Sequence, residues 1–317
     1  MSIRIIGTGS YVPEKIITND DLSQMVDTSD EWITQRVGVK QRHVSVDETT
    51  ADLAVKAAQR ALEAAGISAE EIDLIVTATV TADILCPSTA ALVQAAIGAK
   101  CPAFDISSAC SGFLFALDTA AAFIARGGIR HALVIGAERL SRALDWTDRS
   151  TCVIFGDGAG AAVVAPGDNY LVSRLFTQGN DDVILIPAGK GNSPFYERGE
   201  PVYRINMKGQ ETFKFAVRRI AEDIRIVTEQ AGITPEDLKF IVPHQANSRI
   251  IDLAARKLGI PMERFMLNID RYGNTSSASV AISLDELVRS GRLQAGDLIA
   301  LCAFGGGLSS AACIIRW

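Results

Sequence analysis

The stretch of sequence that decides the fold occurs twice. Residues 66–77 read Gly-Ile-Ser-Ala-Glu-Glu-Ile-Asp-Leu-Ile-Val-Thr, and residues 232–243 read Gly-Ile-Thr-Pro-Glu-Asp-Leu-Lys-Phe-Ile-Val-Pro, about half the chain length further on. In each copy an N-cap residue, Ser68 or Thr234, opens a short acidic turn, and the apolar run that follows is typical of a buried strand. The repeat predicts a chain built from two copies of one α/β unit.

The sequence on either side of the repeat agrees with a duplication. An amphipathic, helix-like run precedes each copy, and buried strands and Gly/Ala-rich turns follow in the same order in both halves. A Pro-Gly-Asp-Asn turn signal at 166–169 marks the junction. We therefore expect an N-terminal half at residues 1–168 and a C-terminal half at residues 169–317, folded as layered sheets covered by helices.

The amino-acid composition limits the classes of protein to which the chain can belong. The 317 residues are 48% hydrophobic and 21% charged, which predicts a folded core rather than disorder. With 31 Lys and Arg against 37 Asp and Glu, the net charge of −6 argues against a nucleic-acid binder that relies on bulk positive charge. A local basic patch remains possible under this balance.

Targeting and cysteine signals favour a cytoplasmic protein. No long apolar segment follows Met1 as in a secretory signal, and no uninterrupted apolar run reaches the roughly 18 residues of a membrane span. Six scattered cysteines without a CxxC pair are typical of reduced, mostly buried thiols. With three histidines and no Cys/His cluster, we expect no metal site and no membrane association.

Cys110 has the most informative context of the six cysteines. The segment around it passes from a strand-like run through small residues into a helix pattern. This order predicts a thiol at a sharp turn and at a helix N-terminus, where free N–H groups stabilise a thiolate and lower the thiol pKa. We interpret Cys110 as a nucleophile, with a buried structural thiol as the alternative.

Two polar segments of the second half are candidates for the same site. His244 directly follows the strand of the second repeat copy, and α/β active sites are usually built at the carboxyl ends of strands. Asn274 follows Gly273 and precedes a Ser/Ala run typical of a helix start. Both side chains can donate to a developing oxyanion, although a surface histidine and an Asn N-cap remain alternatives. The run Gly305–Gly307 is either a tight turn or a source of backbone N–H groups.

Together these segments resemble the β-ketoacyl-acyl-carrier-protein synthase III family of the thiolase superfamily. The resemblance covers essentially the whole chain, in the family's order and near its length. Its motifs are SSACSGF around Cys110, VPHQAN around His244, GNTSSAS around Asn274, FGGG at 304–307, and the segments 5–13, 28–33 and 155–160.

The resemblance implies a thiolase-like five-layer αβαβα fold made of two duplicated halves, acting as a homodimer without a cofactor. It implies decarboxylative condensation of a short acyl-CoA with malonyl-acyl carrier protein, which initiates fatty acid biosynthesis. Cys110 would carry the acyl group as a thioester. His244 and Asn274 would stabilise the enolate formed as CO₂ leaves, and the backbone N–H groups of Cys110 and Gly306 would form the oxyanion hole.

The resemblance also assigns binding residues one position at a time. Those expected to contact coenzyme A are Thr28, Trp32, Arg36, Arg149 and Asn247. Trp32 and Arg149 would sandwich the adenine ring; on residue type alone, Trp32 is as readily a half-buried anchor.

A basic surface is expected for the carrier protein. Carrier proteins are acidic, so a synthase with a net negative charge needs a local positive patch to receive one. The family's docking positions correspond best to Lys214 and Arg249, with Arg256 and Lys257 nearby. An ordinary solvated face is the alternative for about half of these.

Cys86 departs from the family pattern. This position often carries Phe at the base of the acyl pocket in acetyl-preferring members, and we expect the smaller side chain to admit longer or branched acyl groups.

Three other functions compete with this interpretation of the sequence. A thiolase places a second catalytic Cys two residues before the GGG-type turn. Here Ala303 holds that place, and Cys302, one residue out of register, should face the opposite side of its strand. A condensing acyltransferase of secondary metabolism would keep the same three residues and stays an alternative. A non-catalytic carrier-binding subunit would lack the nucleophile and is disfavoured.

Overall fold

The computed structural model describes residues 2–188, 195 and 203–317. The first sheet is formed by β1 (Ser2–Tyr11), β4 (Leu74–Ala78), β5 (Ala103–Ile106), β6 (Ala132–Glu138) and β7 (Gly158–Gly167). The second is formed by β8 (Tyr170–Asn180), β11 (Phe240–Pro243), β12 (Leu298–Gly305) and β13 (Gly307–Arg316). Two small sheets pair β2 (Ile16–Thr18) with β3 (Gln41–His43), and β9 (Ile184–Leu185) with β10 (Asn206–Met207).

Helices surround and separate the two large sheets. They are α1 (Asn19–Ser23), α2 (Asp30–Arg36), α3 (Thr50–Ala65), α4 (Thr89–Ile97), α5 (Gly112–Arg126), α6 (Gly209–Gln230), α7 (Ser248–Leu258), α8 (Ile269–Tyr272) and α9 (Ala278–Arg289). Short 3₁₀ turns lie at Ala69–Glu71, Ala109–Ser111, Leu140–Ala143, Pro235–Asp237 and Met262–Arg264.

The two sheets repeat one topology, as the sequence repeat predicted. The first has the order β1-β7-β6-β4-β5, and the second has the order β8-β13-β12-β11. A parallel bridge between Ile241 of β11 and Phe265 lies where a fifth strand would pair. Residues 168–169, where the boundary between the halves is predicted, lie between β7 and β8.

The repeated segment has the same local structure in both copies. Gly66 and Gly232 both have φ of 68°, a left-handed conformation that favours glycine. Ser68 and Thr234 then each open a 3₁₀ turn in which the acid at the third turn position accepts from the cap's backbone N–H. The strands that follow, β4 and β11, are buried along their whole length.

The layers follow the order α, β, α, β, α. Helices α3 and α4 cover the outer face of the first sheet, α5 and α9 lie between the sheets, and α6 and α7 cover the second sheet. The predicted five-layer fold of two halves is therefore confirmed. One helical stretch, Ala109–Arg126, is long and apolar enough to cross a membrane by composition alone; it contains α5, whose apolar residues pack in the central layer.

The alternation of side chains along β12 agrees with the register argument against a thiolase. Ala303 faces the central layer, whereas Cys302 packs in the outer core with α6 and α7. Burial raises the pKa of the Cys302 thiol well above its usual range. Cys302 is thus a structural thiol on the far side of the sheet from α5.

Candidate active site

The nucleophile candidate lies at the start of the central helix α5. Cys110 belongs to the 3₁₀ turn Ala109–Ser111, which runs directly into the helix, so the predicted sharp turn at a helix N-terminus is confirmed. Ala109 has φ of +46°, an uncommon conformation for a residue with a Cβ. Such backbone strain costs about 1–3 kcal/mol and is found mostly at functional sites.

The expected lowering of the Cys110 pKa is wrong. Burial raises the pKa of this thiol to about 12, and the Glu138 carboxylate raises it further, while a hydrogen bond from Ser276 lowers it. Desolvation dominates because the turn is enclosed by both halves of the chain and the neighbouring groups supply no cation to stabilise a thiolate. Cys110 is therefore a neutral thiol in the resting protein.

The backbone of His244 is fixed by a hydrogen bond, and its ring packs against an aromatic side chain. Its backbone N–H donates to the carbonyl of Cys302 at 2.8 Å. Phe304 contacts the imidazole edge-on, with the ring centroids 5.3 Å apart. Both ring nitrogens are buried and have no hydrogen-bond partner among the residues that the structure describes. Burial lowers the pKa of His244 to about 3, so the imidazole is neutral and able to donate one hydrogen bond.

Asn274 is fixed by the turn that precedes α9. Its Oδ1 accepts from the backbone N–H of Ser276 at 2.8 Å, which leaves the Nδ2 group as the donor of this side chain. Its own N–H donates to Ile154 at 2.9 Å and its carbonyl accepts from Gly156 at 3.0 Å. Asn274 thus presents an oriented donor, rather than the simple N-cap that was the alternative.

The glycine run after β12 touches the nucleophile. A Cβ at Gly305 would lie 2.7 Å from the backbone nitrogen of Cys110, closer than any side chain tolerates. Gly305 lines the cavity that contains Cys110, whereas Gly306 lines an adjoining cavity beside Ala109. The oxyanion hole of Cys110 and Gly306 stays a prediction.

The three reactive candidates share one small cavity. Cys110, His244 and Asn274 line a space of about 170 Å³ together with Phe304, Gly305 and Asn247. Cys110 comes from the first half, and the other two residues come from the second. The site therefore lies at the seam between the duplicated units, as their distribution along the sequence implied.

Four of the residues expected to bind coenzyme A form two contacts near this cavity, Arg149 with Trp32 and Asn247 with Arg36. The Arg149 guanidinium stands over the Trp32 ring at 5.3 Å and donates to the carbonyl of Asp27 at 2.6 Å. The Asn247 amide donates to the carbonyl of Arg36 at 3.0 Å. Thr28 has a buried hydroxyl without a hydrogen-bond partner in the described part of the chain, and Asn247 also lines the cavity. These contacts bring α2 to the cavity edge.

The predicted docking residues fall into two groups. Lys214 is exposed beside Phe213, and Arg249 stacks on the Phe213 ring at 5.7 Å; Phe213 itself lines the cavity. Arg256 and Lys257 lie at the far end of α7, about 10 Å from Arg249 along the helix axis. Arg256 also pairs with Asp252 at 2.9 Å, which reduces the charge that it offers.

Cys86 lies apart from the cavity within a single chain. It is exposed, next to the fully exposed Leu85, and does not line the space around Cys110. The described chain therefore does not support the prediction that Cys86 shapes the acyl pocket.

Three residues of the site were not assigned from the sequence. Phe304 contacts His244, Ser276 lowers the pKa of the Cys110 thiol, and Glu138 is a completely buried acid that accepts from the Ser276 hydroxyl at 3.2 Å. Ser276 and Phe304 lie inside the quoted motifs. Glu138 could have been found, because it is a lone acid at the carboxyl end of a buried strand.

Two family models match the chain. They describe 3-oxoacyl-[acyl-carrier-protein (ACP)] synthase III at residues 104–179 and its C-terminal part at residues 228–317. The beta-ketoacyl-[acyl-carrier-protein] synthase III of Clostridium acetobutylicum is 49% identical over 321 residues, covering 100% of this chain and 99% of that protein.

Solved structures are similar over the same length. The 3-oxoacyl-[acyl-carrier-protein] synthase III of Aquifex aeolicus has a TM-score of 0.93 and 48% identity, covering 99% of this chain and 100% of the other. The priming beta-ketosynthase of the R1128 polyketide biosynthetic pathway has a TM-score of 0.92 and 38% identity, covering 99% and 96%. The likeness extends over both duplicated halves.

Proposed function

The chain belongs to the 3-oxoacyl-[acyl-carrier-protein] synthase III family and is a condensing acyltransferase of fatty acid biosynthesis, and from that premise we propose that its reaction runs on Cys110, His244 and Asn274. The observation that carries the proposal is the shared cavity. It joins a thiol to two neutral donors, and the ring nitrogens of one of them, His244, have no partner among the described residues. A thiol nucleophile opposite free donors suits acyl transfer followed by carbon–carbon bond formation.

In the first half-reaction the Cys110 sulfur attacks the thioester carbonyl of an acyl-CoA. The new carbon–sulfur bond forms as the bond to coenzyme A breaks, and coenzyme A leaves as a thiolate. The contacts around Trp32, Arg149, Arg36 and Asn247 support binding of the nucleotide and pantetheine arm at this edge of the cavity. The Thr28 hydroxyl, which has no partner within residues 2–188, 195 and 203–317, is a further donor there.

In the second half-reaction malonyl-carrier protein loses CO₂, and the resulting carbanion attacks the acyl-Cys110 thioester. His244 and Asn274 donate to the enolate oxygen that develops as CO₂ leaves. A neutral imidazole suits this role over a wide pH range, since the pKa of about 3 keeps His244 uncharged. The thioester carbonyl itself is the electron sink, so the proposed chemistry needs no further cofactor.

The carrier protein docks, in this proposal, beside the mouth of the cavity. Lys214 and Arg249 flank Phe213 there and match the charge of an acidic partner, whereas Arg256 and Lys257 lie further along α7. We also propose a homodimer in the cytoplasm. The exposed apolar side chains Ile84 and Leu85 support a covering partner, and six free cysteines support a reducing compartment.

The R1128 enzyme's similarity keeps the secondary-metabolism alternative as a second candidate. Both candidates share the acyl-Cys110 intermediate, so the same experiment tests them.

The test is intact-protein mass spectrometry after exposure to acetyl-CoA. We expect the wild type to gain one acetyl group, mapped to Cys110 by peptide analysis, and Cys110→Ala to gain none. A wild type that stays unmodified, or a Cys110→Ala variant that still gains the group, contradicts the proposed nucleophile.

A further inference from the structure

A second reactive group lies behind the nucleophile. Glu138, the last residue of β6, is completely buried and has no ion-pair partner among residues 2–188, 195 and 203–317. Its carboxylate accepts instead from neutral donors of both halves. These are the backbone N–H of Val80 and the hydroxyls of Thr79, Thr81, Ser276 and Ser277.

Ser276 joins this carboxylate to the thiol. Its hydroxyl donates to the Glu138 Oε1 at 3.2 Å, and its interaction with the Cys110 side chain lowers the pKa of that thiol. Ser276 has φ of +48°, and with Ala109 it is one of two non-glycine residues with positive φ in the described chain. Both strained residues therefore adjoin Cys110, one through the chain and one through its side chain. Strain of this kind persists where the surrounding structure holds a functional group in place.

The first half-reaction needs a proton acceptor. The resting Cys110 is a neutral thiol, and only its thiolate is a strong nucleophile. The His244 ring is a weak base, because burial lowers its pKa to about 3. Burial raises the pKa of Glu138 to about 7, so this carboxylate can hold a proton near neutral pH.

We propose that Glu138 receives the Cys110 proton through the Ser276 hydroxyl. This inference rests on the proposed role of Cys110 as the nucleophile. The thiol passes its proton to the Ser276 Oγ, whose own proton moves to the Glu138 Oε1, and the thiolate attacks the acyl-CoA carbonyl. When the carbanion later displaces Cys110 from the acyl group, the thiolate leaves and recovers the proton by the reverse path. Glu138 thus acts on the thiol without touching substrate.

The charged surroundings of Glu138 leave this path undisturbed. The titratable groups that face its carboxylate are Cys110 and Tyr203, and burial raises the pKa of both. Arg139, next in the chain, donates to the carbonyl of Glu48 at 3.0 Å, and Arg142 pairs with Asp83 at 3.6 Å. Neither guanidinium neutralises Glu138.

The test is the pH profile of single-turnover acetylation of Cys110 by acetyl-CoA, followed by intact-protein mass. The carboxylate form accepts the proton, so the wild-type rate should rise with pH and level off above a midpoint near 7. Glu138→Gln and Ser276→Ala should each lose that midpoint and acetylate about 100-fold more slowly at pH 7.5. Glu138→Asp, which keeps a carboxylate, should retain the midpoint.

Ser277→Ala is the matched control. It removes another hydroxyl that donates to the same carboxylate, at 2.9 Å, but lies outside the path to the thiol. We expect Ser277→Ala to have a lower Tm than the wild type and to keep the wild-type midpoint in the pH profile of acetylation. A folded Glu138→Gln protein with the wild-type rate and midpoint overturns the proposal. If Glu138→Gln does not fold, a Ser276→Ala variant that keeps the wild-type midpoint in the pH profile of acetylation overturns the proposal. An unmodified wild type instead contradicts the proposed nucleophile.

Discussion

The two halves contact each other at two equivalent places, which we call the first and the second crossing. At each crossing, the turn before a central helix of one half lies against the end of a strand of the other half. In the first, the turn before α5, which carries Cys110, lies against Gly305 at the end of β12. In the second, the turn before α9, which carries Ser276, lies against Glu138 at the end of β6. Each turn has one non-glycine residue in a left-handed conformation, Ala109 or Ser276.

The strand ends at these crossings differ. The first crossing has glycine, because the backbone of Cys110 approaches β12 too closely for any side chain. The second has a buried carboxylate that fills the space with hydrogen bonds. The two crossings therefore share one backbone arrangement but have different roles. One crossing fixes the position of the thiol, and the other supplies polar groups around it.

Among changes at or near the two crossings, the largest effect on acetylation is expected where the first crossing is broken. Gly305→Ala would place a Cβ 2.7 Å from the Cys110 nitrogen, so the turn that holds the thiol must shift. We expect single-turnover acetylation of Cys110 to fall by about 100-fold or more, since a displacement of about 1 Å has such an effect on reacting groups. Gly179→Ala, where no atom of the described residues lies within 4 Å of the added Cβ, is the control. Equal rates for both variants would show that the close approach is unimportant.

A smaller effect is expected outside both crossings. Lys214→Glu places a negative charge beside Phe213 at the cavity mouth, and should raise the KM for malonyl-carrier protein about tenfold at low salt. Acetylation by acetyl-CoA should change less than about threefold. Lys239→Glu alters an exposed lysine just before β11, at the opposite end of that strand from His244. If both variants raise the KM equally, net charge rather than a docking surface is responsible.

Much of the scaffold could be predicted because it depends on local rules. Gly66 and Gly232, the acidic turns after them and the buried strands β4 and β11 are all properties of a few adjacent residues. The alternation along β12 likewise predicts Cys302 on the face away from the site, where it packs in the outer core.

The chemistry of the site was harder to predict because it depends on contacts across the seam. The Cys110 pKa follows from enclosure by both halves and not from its helix alone, so the expected direction was wrong. Glu138 gains its significance only from Ser276, which is remote in sequence. The exposed position of Cys86 likewise depends on the packing of its loop.

The central claim is that Cys110 performs acyl transfer without His244, which serves only the condensation. Its most direct test measures the two half-reactions separately in His244→Ala, with His131→Ala as a control outside the cavity. We expect His244→Ala to form acetyl-Cys110 within about threefold of the wild-type rate, and to condense it with malonyl-carrier protein about 100- to 1,000-fold more slowly. Wild-type condensation in His244→Ala, or an equal loss of both half-reactions, would contradict the account.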